Sequence, residues 1–153
     1  MKMQRILFAA TLVALGAGVT QAHHSFTQFD RENKMITSGT VVRWDFNNPH
    51  SWLHVNVVGD DGAEELWSFE GSAPTSLIQR GITGRTFEPG DTVTMMYCPM
   101  RDGRTGGHMG IVKLADGSYV VPADGGCSGN AEMHEQWKTR IDQLQMSGKD
   151  ATH

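Results

Sequence analysis

Three histidine-bearing motifs carry the chemistry legible in this chain. His23 and His24 directly follow Thr20-Gln21-Ala22, His50 sits within Asn48-Pro49-His50-Ser51-Trp52, and His108 precedes Met109. A cut after Ala22 makes His23 the first residue of the mature protein. A terminal histidine offers its α-amine and ring Nδ1 to one metal ion in a single chelate, and amine with imidazole nitrogen suits Cu(II), near the top of the divalent affinity series. The register of the cut selects the site. A square-planar centre built from the amine, two backbone amides and a third-position imidazole needs a histidine third, hence a cut after Gln21, a poor residue to precede one. After Ala22 the histidines are first and second. His23 then chelates through amine and ring and leaves coordination positions for rings from elsewhere, as in a histidine brace. The plain alternative is that His23 merely happens to come first.

His50 is the second metal ligand of choice: Pro49 stiffens the approach to the edge of a strand, and Trp52 can pack beneath the ring. His24 and His108 are held in reserve as ligands. On an ideal strand His50, Trp52 and His54 share a face, with His50 and His54 about 13 Å apart at roughly 3.3 Å per residue. Both cannot bind one ion, and His54 reads as an exposed strand residue. Met95, Met96, Cys98, Met100 and Met109 crowd two segments. They could act as soft Cu(I) ligands, yet methionine is also the usual filler of irregular cores, and core packing is the favoured reading.

The first 22 residues have the form of a signal peptide: a cationic start at Lys2 and Arg5, an apolar run from Ile6 to Val19, and small residues before Ala22. That run is shorter than the roughly 20 residues a spanning helix needs, so no membrane attachment is expected after cleavage. Removing Lys2 and Arg5 takes the formal net charge from -4 to -6. With the remaining basic residues scattered, nucleic acid is excluded as a partner. Export to the periplasm or beyond permits Cys98 and Cys127 to pair, although sequence does not say whether they are close enough. Ser25, Ser51 and Ser68 lack a nucleophile elbow, and no phosphate loop or dinucleotide fingerprint occurs. No catalytic residue is assigned.

The elements that must position these residues are mostly strands. Thr37 to Trp44 favours strand and is broken by Asn47-Asn48-Pro49. Ser51 to Val58 alternates, with Leu53, Val55 and Val57 on one face and Trp52, His54 and Asn56 on the other; Gly59-Asp60-Asp61-Gly62 turns it into a third strand, Glu64 to Glu70. A short helix follows, capped by Ser72, with Leu77 and Ile78 facing the core and Gly81 ending it. Thr92 to Tyr97 and His108 to Leu114 complete five strands. Three strands, a helix and two strands is the order of a small OB-like barrel. Residues 23–121 form this mainly β domain, and residues 122–153 form an extension whose Met133, Trp137, Ile141 and Leu144 make one helical stripe. Trp137 reads as its packing anchor and His134 as a solvated neighbour.

His23-His24-Ser25-Phe26, Ser38-Gly39-Thr40-Val41, Asn48-Pro49-His50-Ser51-Trp52, Trp67-Ser68-Phe69-Glu70, Pro89-Gly90-Asp91 and Arg101-Asp102-Gly103 occur in that order. Over residues 23–119 the chain resembles a family of small exported bacterial proteins classed as a domain of unknown function. The resemblance implies export, a β-barrel, and a shared pattern containing His23, His24, His50 and Trp52. Cys98, His108-Met109 and the cysteine-bearing extension depart from that pattern. Two functions stay open. One is a periplasmic copper carrier or buffer; the other is a metal-free OB-type module that holds a small molecule or protein partner on a face formed by Trp44, Trp52, Trp67 and His54.

Overall fold

The computed structural model describes residues 25–147. A 3-10 helix, Ser25–Gln28, leads into β1 (Met35–Asp45), β2 (Trp52–Val58) and β3 (Glu64–Glu70); α1 (Pro74–Ile78) is followed by β4 (Thr92–Pro99), β5 (Gly106–Lys113), the two-residue β6 (Tyr119–Val120) and α2 (Ala131–Met146). The hydrogen-bonded order is β3-β2-β1-β4-β5-β6, and β3 also pairs with β5. That last pairing is parallel and closes five strands into the expected OB-like barrel. Among the described residues no helix is long and apolar enough to cross a membrane.

β1 is long because it serves two partners. Its first half pairs with β4 and its second with β2, the two registers meeting at Thr40. The backbones approach closely there: a Cβ on Gly39 would lie 2.5 Å from the Asn56 carbonyl oxygen. A bulge between Val41 and Arg43 then bends the strand, as expected at a barrel rim.

Alternation sorts side chains into two apolar layers. Leu53, Val55 and Val57 join Trp44, Trp67, Phe69, Met95, Tyr97 and Met109 inside the barrel. The outer face of β4 and β5 carries Met96, Cys98 and Ile111, covered by Phe29, Cys127 and Ile141. The methionines thus fill core space on both faces of β4, and Trp137 packs against the outer layer. Cys98 and Cys127 form a disulfide with Cα atoms 5.7 Å apart, tying the extension to β4. Lys113 and Tyr119 both donate to Asp142 Oδ1, at 2.6 and 2.7 Å, which holds the far end of α2.

Three local expectations need correction. Ser72 does not cap α1; Ala73 holds the N-cap position, because the Ser72 hydroxyl instead accepts the Asp124 N–H at 2.7 Å. Ile78 is 58 % exposed, since a five-residue helix presents one narrow face and Leu77 fills it. His134 is half-buried rather than solvated, with Nε2 out of contact with solvent, being next to Met133 on the covered side of α2.

Two stability outcomes follow from this architecture. A Cβ on Gly106, whose φ is +112°, would overlap the Ser68 carbonyl across the closing seam, whereas one on Gly103, at φ +78°, meets nothing within 4 Å. Chemical denaturation of Gly103→Ala should show a loss of about 1 kcal/mol from backbone strain alone, with a clearly larger loss for Gly106→Ala. Equal losses would mean the seam is not tightly closed. The disulfide spans 29 residues, for which chain entropy gives roughly 3–4 kcal/mol. Urea unfolding of a Cys98→Ser/Cys127→Ser variant should show a loss of that order.

Candidate functional site

The candidate site lies where β2, β3 and β5 meet beneath the N-terminal segment. The β1–β2 connection turns at a cis Asn48–Pro49 bond and brings His50 to the start of β2. Glu70 ends β3 and stands opposite Trp52 on one side and His108 on the other. His50 Nδ1 contacts Glu70 Oε1, and Gln28, at the end of the 3-10 helix, donates to Glu70 Oε2 at 3.2 Å. A carboxylate only 3 % exposed therefore receives side chains from two separate segments, as a buried charge requires.

His108 faces outward from the barrel opposite Cys98. It is 4 % exposed, covered by the Phe29 ring at 5.2 Å and 52°. Burial pushes its pKa down to about 4, the nearby charges of His50 and Arg31 act in the same direction, and a hydrogen bond to the Met109 backbone opposes them. The ring is neutral at neutral pH, the form that has a lone pair for a metal.

The segment above the site is stitched to the end of β4. Asp30 N–H donates to the Pro99 carbonyl and Arg101 N–H to that of Gln28, both at 2.8 Å, and Phe29 bridges to Met100. His23 and His24 lie outside the described residues. Four residues separate His23 from Gln28, so over five steps of at most 3.6 Å the chain can reach no more than about 18 Å from Gln28 to His23. Among the described residues no three His, Cys, Asp or Glu side chains are disposed to hold a metal ion. A centre here needs donors from the preceding segment.

Of the sequence candidates, His50 contacts the Glu70 side chain and His108 is the strand partner of Glu70, while His54 is apart. Its Nδ1 meets Ser68 Oγ at 2.8 Å, and its Nε2 lies 3.1 Å from Asp45 Oδ2 and 3.2 Å from Arg43 Nη2. It is a half-buried member of a surface network, not an exposed strand residue. The tryptophans do not form one face. Trp44 is interior and donates to the Thr83 carbonyl at 3.0 Å; Trp67 is interior against Phe69 and Tyr97. Trp52 alone is turned outward, into an open groove of about 460 Å³ shared with Leu66, Ser68, Met100, Arg104 and Thr105. Sequence reasoning assigned no role to Glu70 or Gln28. A signal existed for Glu70, an acid ending a strand whose alternate residues are apolar; Gln28 offered none.

The His108 ring provides a direct check. Followed by NMR in metal-free protein, it should titrate with a midpoint about 4. The unfolded chain takes up this proton near 6.5, so between these values the unfolded state binds more protons and folding stability declines as pH falls. A midpoint near 6.5 would contradict the buried placement.

Comparison with curated proteins and with solved structures finds no match. A family match covers residues 11–109. It begins inside the apolar N-terminal run, takes in Gln28, His50, Glu70 and His108, and stops before Cys127 and α2. The chain thus belongs to a family of unknown function, DUF6152.

Proposed function

We propose that the protein is exported, cut after Ala22, and serves as a periplasmic copper carrier or buffer. His23 supplies the amine and its ring, His50 and His108 supply further imidazoles, and His24 is the alternative donor at the terminus. The single observation that carries this reading is that Glu70 contacts the His50 ring, pairs with His108 across the β3–β5 seam, and accepts from Gln28 in the segment that follows the two terminal histidines. A set of amine and imidazole nitrogens favours Cu(II) over the other common divalent ions. A buried carboxylate beside the set favours bound cation over none.

A second reading has one observation in its favour. The groove at Trp52 offers an outward-facing indole beside Arg104, Ser68 and Thr105, on the β2–β3 face through which OB barrels bind ligands. A metal-free module would use that groove for a small molecule or a protein partner. With Trp44 and Trp67 committed to the interior, its platform rests on Trp52 alone.

The two readings part on the mature terminus. Protein recovered after export and shown by intact mass to begin at His23 should bind one Cu(II) with a nitrogen-rich EPR spectrum. One alanine added before His23 should weaken binding by about 100-fold, some 2.8 kcal/mol, and His50→Ala should weaken it in a protein that stays folded. No binding, or equal binding with and without the added alanine, would sink the copper reading and turn attention to the Trp52 groove.

A further inference from the structure

We infer that Glu70 is the positioning residue of this centre, fixing with one oxygen the tautomer of the His50 ring and with the other the segment that carries the terminal histidines. In its purpose the inference rests on the copper reading above; its geometry stands without metal.

An imidazole presents two nitrogens, and only one can bind a given ion. His50 Nδ1 is directed at Glu70 Oε1. An ionised carboxylate only accepts, so in the neutral ring Nδ1 carries the proton and Nε2 has the lone pair, on the side of the ring away from Glu70. Free neutral histidine prefers the opposite form, with the proton on Nε2. Glu70 therefore selects the less favoured tautomer and fixes the plane of a side chain that is otherwise 36 % exposed. Carboxylates that hold ligating histidines in this way commonly change metal affinity by 10–100-fold.

The other oxygen acts on a different part of the chain. Glu70 Oε2 accepts from Gln28 Nε2, and Gln28 is the last residue of the helix that starts at Ser25, immediately after His24. Glu70 itself has little freedom. Its backbone is paired on both sides, to Trp52 and to His108, and its side chain is 4 % exposed. One immobile carboxylate thus sets the ring of His50 and the starting point of the N-terminal segment relative to each other. Its neighbour His108 needs no such selection, because the Met109 backbone already engages its ring.

The test reads the tautomer in metal-free protein by ¹⁵N NMR of the imidazoles at pH 8.5, for wild type, Glu70→Ala and Glu70→Gln, with circular dichroism to show that each is folded. His50 should be Nδ1-protonated in the wild type, should revert toward the Nε2-protonated form in Glu70→Ala, and should stay Nδ1-protonated in Glu70→Gln, whose amide oxygen still accepts. If Glu70→Ala does not fold, the wild type and Glu70→Gln decide the matter. An Nε2-protonated His50 in the wild type, or an unchanged tautomer in folded Glu70→Ala, overturns the inference. Copper competition titration then gives a separate readout: a 10–100-fold weaker Cu(II) affinity in Glu70→Ala, and a smaller loss in Gln28→Ala, which leaves His50 untouched. Wild-type protein beginning at His23 that binds no copper defeats the copper reading while leaving the tautomer result intact. Wild-type copper binding with full affinity in both variants defeats the positioning role alone.

Discussion

Everything in this fold depends on a three-residue parallel seam, in which Ser68, Phe69 and Glu70 of β3 lie against Gly106, Gly107 and His108 of β5. The other ladders of the barrel are antiparallel and are built between segments that hairpins or long strands bring together. The seam joins strands separated by α1 and β4, and its backbones come so close that a Cβ on Gly106 would overlap the Ser68 carbonyl, while a Cβ on Gly107 would overlap the Cys98 carbonyl of the neighbouring β4. Glycine at position 106 is thus a condition for closure, and a buried interior around Phe69, Tyr97 and Met109 is its result. The seam also determines chemistry, since the residue pair that ends it is Glu70 and His108.

A carboxylate and an imidazole at the outer surface of a barrel would ordinarily be wet. Here the outer face of β4 and β5 is the floor of a second apolar layer, roofed by Phe29 from the N-terminal side and by Cys127 and Ile141 from the extension. Charges placed in such a layer gain strength in their interactions and lose their hydration, so each must be matched by a partner or shift its pKa. His108 takes the second course and is held neutral. Glu70 takes the first, with His50 and Gln28 as acceptor-seeking neighbours. The disulfide, at the residue paired with His108, keeps the extension seated on β4 beside this layer.

Much of the barrel was legible because its strands alternate. Leu53, Val55 and Val57 face inward as their period of two requires, and the turn residues mark the ends of β2 and β3 with little error. The stripe of Met133, Trp137, Ile141 and Leu144 likewise locates α2, although its start is set by Asn130, whose side chain accepts the Met133 N–H. What could not be read was long-range. Trp52 and Trp67 both look like candidates for one ligand face, but they sit on strands whose pairing offsets them by one residue in alternation, so one points out and the other in. The pairing of Cys98 with Cys127, permitted by sequence, required the two layers to be assembled before their distance had a value. Glu70 and Gln28 acquire a role only through contacts 20 and 42 residues apart, for which local pattern has no signature.

The proposed copper centre has a consequence for when it can exist. A peptide nitrogen has its lone pair delocalised into the carbonyl and is a poor metal donor until it loses its proton, whereas a free α-amine is a good one. Before cleavage the nitrogen of His23 is of the first kind, and the centre then has imidazoles but no chelating terminus. The proposed cleavage after Ala22 would convert it into the second kind and leave the Gln28–Glu70 contact and the pairing of residues 28–30 with the end of β4 in place, because all are downstream of the cut. In the proposed centre the barrel, closed by the β3–β5 seam, would supply one half of the site and export the other. On this reading the two halves meet only in the compartment where the disulfide can form and where copper is to be bound. On the same reading, a chain retained inside the cell would lack both the terminal amine and the Cys98–Cys127 tie between the extension and β4.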